Sequence, residues 1–593
     1  MDGAPRTLRR RLSALVAAAG LVLATPSAAD ASAGAVPVQL LSITDLHGYF
    51  GEYTTTVPGA RAGEPAQQVG GGAYLTTHLK RLRAGKRNSI SFSVGDDFTG
   101  WPNETGWFWN EPTIEYLNSI GLDFSTAGNH EMDRGYAFLR HMIDGTCAGR
   151  PDKDLCFKDS SGRRFRGADY HYYSGNLVHE RSKKPALPPY RVEYVDDGRG
   201  GRLPVGFVFA TTALASQEQM SYTPKGFDFL DEVETVNRYA ALLRKRGVRA
   251  IVAVMHEGFS QQSGAGYDEC VNPSGPAVGF NARITPDVDA IVTGHWHALV
   301  NCMLPDPAGD PRPVVEAANH GRLINEINLR LDRRTGEVLR DQTTSVNHAN
   351  TKDVTPDPET LRIADYWRRQ AVPRGNTPVA TVTADLTRAP GDGAESTLYN
   401  VTADAFHWAA NRDGRADLAV AMPGILRRDL RYAADSANPA DAPGRVLFSE
   451  VALGTVYDSG IGVGLVRGDI TGAQLDALLE SQWQQAADGS VKYRQMAVSG
   501  NVRYGWDPSK PVGQRVASVW IGKRAVKPHS IYRIATLANN FFAKNATPGF
   551  TALFEAKKQD RSLYNGGDAL WRYLEKKSPV SPPALGRATA QGA

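Results

Sequence analysis

The chain has 593 residues, of which 41% are hydrophobic and 22% are charged, a composition typical of a globular protein with at least two domains. Its formal net charge is +4, and the residues beyond the first 33 carry only +2, because that segment holds four arginines and two aspartates. So small a charge gives no argument for a nucleic-acid polymer or an anionic membrane as a partner, and we expect neither.

Residues 1–33 have the pattern of a secretory signal peptide. A basic segment, an apolar run over residues 12–24 and a stretch of small residues that ends in Ala31-Ser32-Ala33 follow one another. An N-terminal membrane anchor is the alternative, but the run is short and no basic residues follow it. We therefore expect an exported, extracytoplasmic protein, and no later apolar run has the length of a membrane span.

The first half of the chain then alternates strand and helix patterns. Strands are predicted over 38–43, 89–94, 122–127, 203–210, 250–255 and 287–293, and helices over 73–84, 112–120, 136–143 and 233–246. Strands that alternate with helices indicate a mainly parallel, layered α/β domain.

Metal-type side chains follow five of these strands. In chain order the blocks are Asp45-Leu46-His47, Gly95-Asp96-Asp97, Gly128-Asn129-His130-Glu131, His256-Glu257 and Gly294-His295-Trp296-His297. Each block by itself is also typical of a turn or of a structural histidine. Together they predict a site at the carboxyl edge of the sheet, where ligands of open α/β folds bind. Oxygen and nitrogen donors without thiolate suit Zn, Mn, Fe or similar divalent ions.

A tryptophan-rich stretch, with Trp101, Trp107 and Trp109, lies between the second and third blocks. It is typical either of a substrate pocket beside the metal loops or of a small packed cluster beneath them.

The chain has four cysteines. An even number of cysteines in an exported chain favours disulfides. Four cysteines allow three connectivities. We favour Cys147–Cys156 and Cys270–Cys302, because the members of each pair are close in sequence. Free thiols are the alternative, and a zinc–thiolate site is disfavoured because no Cys-x-x-Cys spacing occurs.

The first domain is predicted to end after a closing strand over 321–331. Apolar residues at helical spacing over 357–371 indicate a linker helix, which we expect residues 373–378 to terminate. The predicted units are residues 1–33 as signal peptide, 36–345 as catalytic domain, 346–376 as linker and 377–585 as second domain.

The five blocks, in this order, resemble the calcineurin-like metallophosphoesterases. The export signal and the second domain narrow the resemblance to the secreted two-domain 5′-nucleotidases, which include the periplasmic UDP-sugar hydrolases. The resemblance implies a four-layer β-sandwich domain flanked by helices, followed by an α+β domain that recognises substrate. It also implies a monomer and a rotation of the second domain that carries substrate to the metals.

The same resemblance assigns roles to the blocks. It implies two divalent metal ions, one bound by Asp45, His47, Asp96 and His297 and the other by Asp96, Asn129, His256 and His295. Asp96 would bridge the ions, which activate a bridging hydroxide that attacks phosphorus. His130 would be the catalytic histidine that is not a ligand, and Glu131 would orient its neighbours.

The C-terminal half resembles the 5′-nucleotidase C-terminal domain over 395–405, 417–430, 468–479 and 532–542. Several positions depart from that pattern, including Met422 and Ile425 in the substrate turn and residues 460–463 and 546–549 in the base-binding loops. Arg427 and Phe542 remain as candidate substrate contacts, although Phe542 is equally typical of a core residue.

The resemblance implies hydrolysis of nucleoside 5′-monophosphates. The first alternative is another phosphoester, such as a sugar phosphate, a nucleotide sugar, a 2′,3′-cyclic nucleotide or a metabolite phosphate. The second alternative is a non-catalytic binding protein stabilised by metal. The complete set of ligand-type residues, with His130 present, argues against that second alternative.

Overall fold

A computed structural model of the chain describes residues 34–98, 102–146, 155–213, 226–388, 394–454, 464–485, 489–541 and 550–590. The predicted signal peptide lies outside these residues and stays a prediction. Every helix in the described ranges is too short or too polar to cross a lipid bilayer.

The first domain is built from strands that alternate with helices over most of its length. Its strands are β1 (Ala35–Ile43), β2 (Thr55–Val57), β3 (Gln67–Val69), β4 (Ser89–Ser93), β5 (Phe124–Thr126), β6 (His171–Tyr173), β7 (Leu177–His179), β8 (Tyr190–Asp196), β9 (Arg202–Thr211), β10 (Phe227–Phe229), β11 (Ala250–His256), β12 (Ala290–Thr293), β13 (Leu299–Pro305), β14 (Pro311–Ala317), β15 (Leu323–Asp332) and β16 (Thr344–Ala349). Its helices are α1 (Gly72–Arg83), α2 (Asn103–Gly106), α3 (Glu111–Ile120), α4 (Tyr136–Asp144), α5 (Glu232–Lys245) and α6 (Pro276–Asn281).

Two six-stranded sheets form the centre of this domain. Their strand orders are β16-β15-β1-β4-β5-β6 and β13-β14-β12-β11-β9-β8. Strands β1, β4, β5 and β6 of the first sheet are parallel to one another, and so are β14, β12, β11 and β9 of the second. Antiparallel strands complete one edge of the first sheet and both edges of the second. The rings of Phe92 and Phe124 in the first sheet meet Phe207 in the second, at centroid distances of 5.9 and 4.8 Å. The predicted layered α/β architecture is therefore confirmed.

Strand β11 shows why its sequence is a continuous apolar run. Val252 and Val254 face the core between the two sheets, whereas Ile251 and Met255 pack with α5 and α6 on the outer face. A strand covered on both faces has no polar alternation, because neither set of side chains meets water.

The linker helix α7 (Pro358–Gly375) ends within residues 373–378, as predicted, and its last turn includes Pro373. The proline removes one backbone hydrogen bond from the helix, because it has no N–H to donate. The buried side chains of Ile363 and Trp367 hold the helix against the first domain, and the Trp367 indole donates to Glu115 at 2.6 Å. Tertiary packing therefore stabilises a helix whose last turn contains a proline.

The tryptophan-rich stretch is a packed cluster at the junction of the two domains. The buried rings of Trp107 and Phe108 lie 5.3 Å from Phe448 and 4.9 Å from Trp367, respectively. Trp101 lies outside the described residues. Of the two interpretations of this stretch, packing is thus correct for Trp107 and Phe108.

The second domain is a smaller α+β unit. Its strands are β17 (Pro378–Thr381), β18 (Leu418–Ala421), β19 (Arg445–Leu447), β20 (Gly464–Thr471), β21 (Trp483–Gln485), β22 (Val491–Tyr493), β23 (Ala497–Val498), β24 (Val502–Trp506), β25 (Val516–Ile521), β26 (Arg524–Ala525), β27 (Ile531–Leu537), β28 (Lys557–Asn565) and β29 (Ala588–Ala590), and its helices are α8 (Thr397–Ala410), α9 (Phe448–Gly454), α10 (Gly472–Glu480) and α11 (Gly566–Lys577). A five-stranded sheet in the order β23-β18-β27-β20-β28 is its centre. Helix α10 begins with a complete capping box between Thr471 and Gln474.

The disulfide Cys270–Cys302 is present, as predicted. It ties the loop that follows β11 to strand β13, so it joins the chain segments on either side of α6 and β12. Cys147 lies outside the described residues, and its pairing with Cys156 stays a prediction.

Removal of the Cys270–Cys302 crosslink by the double change Cys270→Ala and Cys302→Ala should lower the free energy of unfolding by about 3 kcal/mol, because the bond closes a loop across a sequence separation of 32 residues. The measurement is denaturant unfolding of both proteins. An unchanged unfolding midpoint would contradict a stabilising role for this bond.

Candidate metal centre

The carboxyl ends of β1, β4, β11 and β12 bring six of the predicted ligands into two groups. The first group is Asp45, His47 and His297, and the second is Asp96, His256 and His295. Within each group, one candidate donor atom per residue lies within 4.8 Å of the others. Oδ1 of Asp45 is 3.3 Å from Nε2 of His297, and Oδ2 of Asp96 is 3.0 Å from Nε2 of His256.

The two groups are adjacent, and Asp96 lies between them. Its Oδ2 atom is 3.0 Å from His256 in its own group and 3.9 Å from Nε2 of His47 in the other. Asn129 joins the second group, since its Oδ1 is 3.1 Å from Nε2 of His256. The seven predicted ligands are therefore brought together at one edge.

The backbone is strained at the strand ends that bring these ligand-type residues together. Five non-glycine residues of the two groups have positive φ, namely Asp45 (50°), His47 (48°), Asp96 (52°), His295 (78°) and His297 (58°). Left-handed conformations are uncommon for such residues and cluster at functional sites. They turn the chain sharply at each strand end, which directs side chains from neighbouring strands toward one point.

Two glycines make the close approach of these turns sterically feasible. A Cβ atom at Gly128 would lie 2.2 Å from Oδ1 of Asp96, and one at Gly95 would lie 2.6 Å from the backbone nitrogen of Gly128. Gly95 also has a φ of 97°, which disfavours any side chain there. The glycines of the Gly95-Asp96 and Gly128-Asn129 blocks are thus part of the site's geometry.

The donor chemistry of the groups fits divalent cations. Carboxylate, imidazole and amide oxygen donors are ligands for Zn, Mn or related ions. The imidazole of His256 donates from Nδ1 to the carbonyl of Val94 at 2.8 Å, so its Nε2 is available on the side of Asp96. Burial lowers the pKa of His256, but the charge and hydrogen bond of Asp96 raise it to about 10. The buried carboxylates therefore attract positive charge to this site.

His130 lies beside the two groups rather than within them. Its backbone N–H donates to Oδ1 of Asp96 at 2.8 Å, and its ring centroid is 5.3 Å from that of His47. Its Nδ1 donates to Oδ2 of Asp133 at 2.8 Å. Burial lowers the pKa of His130, whereas the charges of Asp133 and Asp96 raise it to about 9. Sequence reasoning missed Asp133, although its position three residues after His130 on a short 3₁₀ turn was a usable signal.

Glu131 holds the turns of the second group together by hydrogen bonds. One carboxylate oxygen accepts from the backbone N–H of Asp96 at 2.9 Å and of Gly128 at 2.6 Å, and the other accepts from Asp97 at 2.8 Å. Burial and the charges of Asp96 and Asp97 raise the pKa of Glu131, while the hydrogen bond from the Asp96 N–H opposes them. The geometry agrees with the orienting role that the sequence predicts for this residue.

A second buried carboxylate, Glu316 on β14, holds the turns of the other sheet together in the same way, by accepting hydrogen bonds. Its Oε1 accepts from the N–H of Ala298, directly after His297, at 2.9 Å. Its Oε2 lies 3.4 Å from both the N–H of Phe259 and the hydroxyl of Thr293. Sequence reasoning missed Glu316, whose signal was an acidic residue inside an apolar strand.

A sixth strand end also reaches the site. After β14, the Asn319 amide lies 2.9 Å from Nδ1 of His297, and the ring of His320 stacks on Tyr49 at 3.8 Å. The backbone N–H of His320 donates to the carbonyl of Asp45 at 2.8 Å. Asn319 and His320 were not predicted, although polar residues directly after a buried strand were the same signal used for the other five.

The predicted substrate contacts are not gathered with the metal-type residues in the described parts of the chain. Arg427 is exposed on the turn after β18, which the Tyr399 hydroxyl holds by accepting the N–H of Gly424 at 2.7 Å. Phe542 lies outside the described residues. The second domain approaches the first through Arg561, 3.9 Å from Asp133.

A contact between the domains lies next to this one. The guanidinium of Arg134 lies 3.3 Å from the carboxylate of Asp568 on α11 and 4.0 Å over the ring of Trp109. The Arg561–Asp133 and Arg134–Asp568 contacts both involve residues directly after the turn that carries His130. The position of the second domain is therefore coupled to that turn.

A further group of metal-type side chains, at Glu111, His141 and Cys156, is explained by structural contacts. The Glu111 carboxylate already accepts from the backbone N–H of Cys156 and Phe157 and lies 3.0 Å from Nε2 of His141. These bonds occupy the oxygens that a cation would need.

Two family models match the chain. Residues 38–299 match the model described as calcineurin-like phosphoesterase, and residues 375–555 match the 5′-nucleotidase C-terminal domain. The first match spans all five predicted ligand blocks, and the second spans most of the second domain.

Curated relatives are similar to the chain over part of their own length. The cell wall protein Lmo0130 of Listeria monocytogenes is 26% identical over 430 residues, which are 68% of this chain and 52% of the relative. The endonuclease YhcR of Bacillus subtilis is 24% identical over 510 residues, which are 86% of this chain and 37% of the relative. The chain thus spans about half or less of these relatives.

Among solved structures, the NAD nucleotidase NadN of Haemophilus influenzae is similar in fold. It superposes with a TM-score of 0.61 at 16% identity, over 94% of this chain and all of that one. At this identity the likeness supports the two-domain fold and no more.

Replacement of Glu316 by alanine should weaken binding of a divalent cation about 10- to 100-fold, because the loops that carry His256 and His297 lose their shared acceptor. Glu316→Gln should fall between this variant and the wild type, since one oxygen still accepts the Ala298 N–H. Calorimetric titration of chelator-treated protein with Mn²⁺ or Zn²⁺ measures the effect.

The exposed Glu180 provides the matched control as Glu180→Gln. Circular dichroism should show native folding in all three variants. Unchanged metal affinity in a folded Glu316→Ala protein would show that this carboxylate does not position the ligand loops.

Proposed function

Because the chain belongs to the calcineurin-like phosphoesterases that carry a 5′-nucleotidase C-terminal domain, we propose that it is a metal-dependent phosphoester hydrolase. The observation that carries the proposal is the pair of adjacent donor groups with Asp96 between them and the His130–Asp133 pair alongside. A structural cluster would not need a half-buried, oriented histidine beside two sets of cation ligands.

Seven residues would hold two divalent cations. Asp45, His47, Asp96 and His297 would bind one ion, and Asp96, Asn129, His256 and His295 the other. When bound, such ions supply Lewis acidity toward the phosphoryl oxygens and a water nucleophile that is acidic enough to react near neutral pH.

His130 is proposed to move the proton of the reaction. Since its Nδ1 is committed to Asp133, the proton that it transfers resides on Nε2. From Nε2, His130 donates a hydrogen bond to the phosphoryl group or transfers its proton to the departing oxygen. The proton transfer releases the leaving group in neutral form. Asp133 keeps the ring in this orientation and stabilises its protonated form.

Nucleoside 5′-monophosphates are the substrates that we propose first. Support comes from the 5′-nucleotidase C-terminal model matched over residues 375–555 and from the exposed position of Arg427 after β18.

A different phosphoester is the second candidate, and two buried side chains favour it. Met422 and Ile425, which replace polar or small residues expected in the substrate turn, are 0% and 4% exposed and belong to the core of the second domain. That turn therefore offers a nucleotide fewer polar contacts than the resemblance implies.

We also propose that the protein acts outside the cytoplasm. The N-terminal sequence pattern, the disulfide Cys270–Cys302 and the similarity to a protein named as a cell wall protein support this location, because disulfides persist in oxidising compartments.

The proposed activity predicts phosphate release that requires a divalent metal. Purified protein should release phosphate from AMP in the presence of Mn²⁺ or Zn²⁺, and chelation should abolish the release. Asp96→Asn should lose most of the activity, because both donor groups share that carboxylate. A colorimetric phosphate assay across AMP, UDP-glucose, 2′,3′-cyclic AMP and sugar phosphates measures the rates.

Faster turnover of AMP than of the other compounds would support the nucleotidase proposal. A higher rate on another compound would favour the second candidate. Wild-type turnover by Asp96→Asn, or full activity after chelation, would reject the metal-dependent mechanism.

The proposed proton transfer makes a separate prediction. His130→Ala should lower kcat about 100-fold or more while metal content stays at the wild-type level, because the residue is not a ligand. Asp133→Asn should give a smaller loss and an altered pH profile of kcat. Steady-state kinetics and metal analysis test both, with the exposed Asp169→Asn as control. Loss of bound metal in His130→Ala would instead place this histidine among the ligands.

A further inference from the structure

The second domain carries an open groove of about 1400 Å³. It lies where β18 and β27 begin, between Asp417 and Ile531, whereas the turn with Arg427 follows the end of β18. These two strands are parallel, so the groove and the turn lie at opposite ends of the five-stranded sheet. Strands of this length separate their ends by roughly 13 to 23 Å, and the groove is therefore distinct from the predicted substrate turn.

Positive charge is concentrated in this groove. Two acidic side chains line it, Asp404 and Asp417, together with six basic ones: Arg412, Arg415, Lys523, Arg524, Lys527 and Lys577. The local excess of four positive charges equals the formal net charge of the whole chain. The near balance of charge along the sequence thus conceals a strongly basic surface.

The two acidic residues already have partners, of which Arg415 is itself one of the six basic groove residues. Asp404 receives both ends of the Arg587 guanidinium at 2.9 and 2.7 Å. Asp417 accepts from Arg415 at 3.0 Å and from the N–H of Arg533 at 2.9 Å.

Four of the cations have no such compensation. In the part of the chain that the structure describes, none of Lys523, Arg524, Lys527 and Lys577 forms an ion pair. Like charges gathered in one concave surface repel one another and attract anions.

Helix termini explain part of this charge but not all of it. Helices α8 and α11 end at the groove, and basic residues such as Arg412 and Lys577 are favoured near the negative end of a helix dipole. Lys523 and Arg524 instead come from the hairpin between β25 and β26, and Lys527 follows it. Their presence in the same groove requires another reason.

Aromatic rings accompany the cations. Trp408, Tyr532 and Tyr573 line the groove, with the rings of Trp408 and Tyr573 6.1 Å apart. The Arg412 guanidinium lies 5.7 Å from the Trp408 ring. Cationic side chains along a groove that also presents aromatic faces are the features by which proteins bind single-stranded nucleic acids without sequence preference.

We propose that this groove binds single-stranded nucleic acid, with phosphates against its basic side chains and bases against its aromatic rings. This inference reverses the expectation drawn from the net charge of the chain. It does not depend on the metal centre, which lies in the other domain.

Fluorescence anisotropy with a labelled dT12 oligonucleotide tests the proposal on the full chain. Binding should weaken with salt, with a slope of log K against log salt no steeper than about −4, because each phosphate contact on a single strand contributes about −0.7. The double change Lys523→Glu and Arg524→Glu should raise Kd at least tenfold and leave hydrolysis at the metal centre unchanged.

The matched control is Arg181→Glu with Lys184→Glu, which makes the same charge change at exposed positions of the first domain. A twelve-unit oligomer of abasic phosphodiester should bind more weakly than dT12, because it offers no bases to stack. Equal binding of the two oligomers, equal weakening by the control variant, or no binding of dT12 at low salt would each overturn the proposal. Recovery of full-length oligomer on a gel after each titration verifies that hydrolysis has not distorted the affinities.

Discussion

At the carboxyl edge of the two sheets, buried carboxylates lie within hydrogen-bonding distance of imidazoles, on backbone turns held in left-handed conformations. Asp45, His47, Asp96, His295 and His297 all have positive φ. Such conformations cost about 1 to 3 kcal/mol each, so the five together cost about as much as the net stability of a typical domain. The fold must compensate for this strain before the site can exist.

The compensation comes from the elements that surround the turns. Six parallel strand pairs and a core buried between two sheets fix where each turn begins. Glu131 and Glu316 then bind backbone N–H groups of adjacent turns, one on each sheet. Gly95 and Gly128 allow the turns to approach, since a side chain at either position would collide with its neighbour. Rigid positioning of this kind is what a pair of closely spaced cations requires of its ligands.

The second domain is joined to this centre by packing and by charge. Trp107, Phe448 and the linker helix α7 form a continuous apolar junction, while Arg561 and Asp568 approach the turn that carries His130. The position of the proposed catalytic turn therefore depends on contacts with the second domain. The basic groove lies at the far end of that domain's sheet, so the protein presents two regions of opposite electrostatic character, one that attracts cations and one that attracts anions.

Local pattern by itself predicted strands β1, β4, β5, β9, β11, β12 and β15 and helices α1, α3, α4 and α5 of the first domain. It also predicted the five ligand blocks and the Cys270–Cys302 pair, because period, turn residues and spacing can all be recognised along the chain. It did not reveal Asp133, Glu316, Asn319 or His320, whose roles depend on which side chains and backbone groups lie opposite them. It also gave no indication of the basic groove, because the net charge of the whole chain is small. Those features were decided by tertiary structure, because folding places the partner groups opposite these residues and gathers distant charges onto one surface.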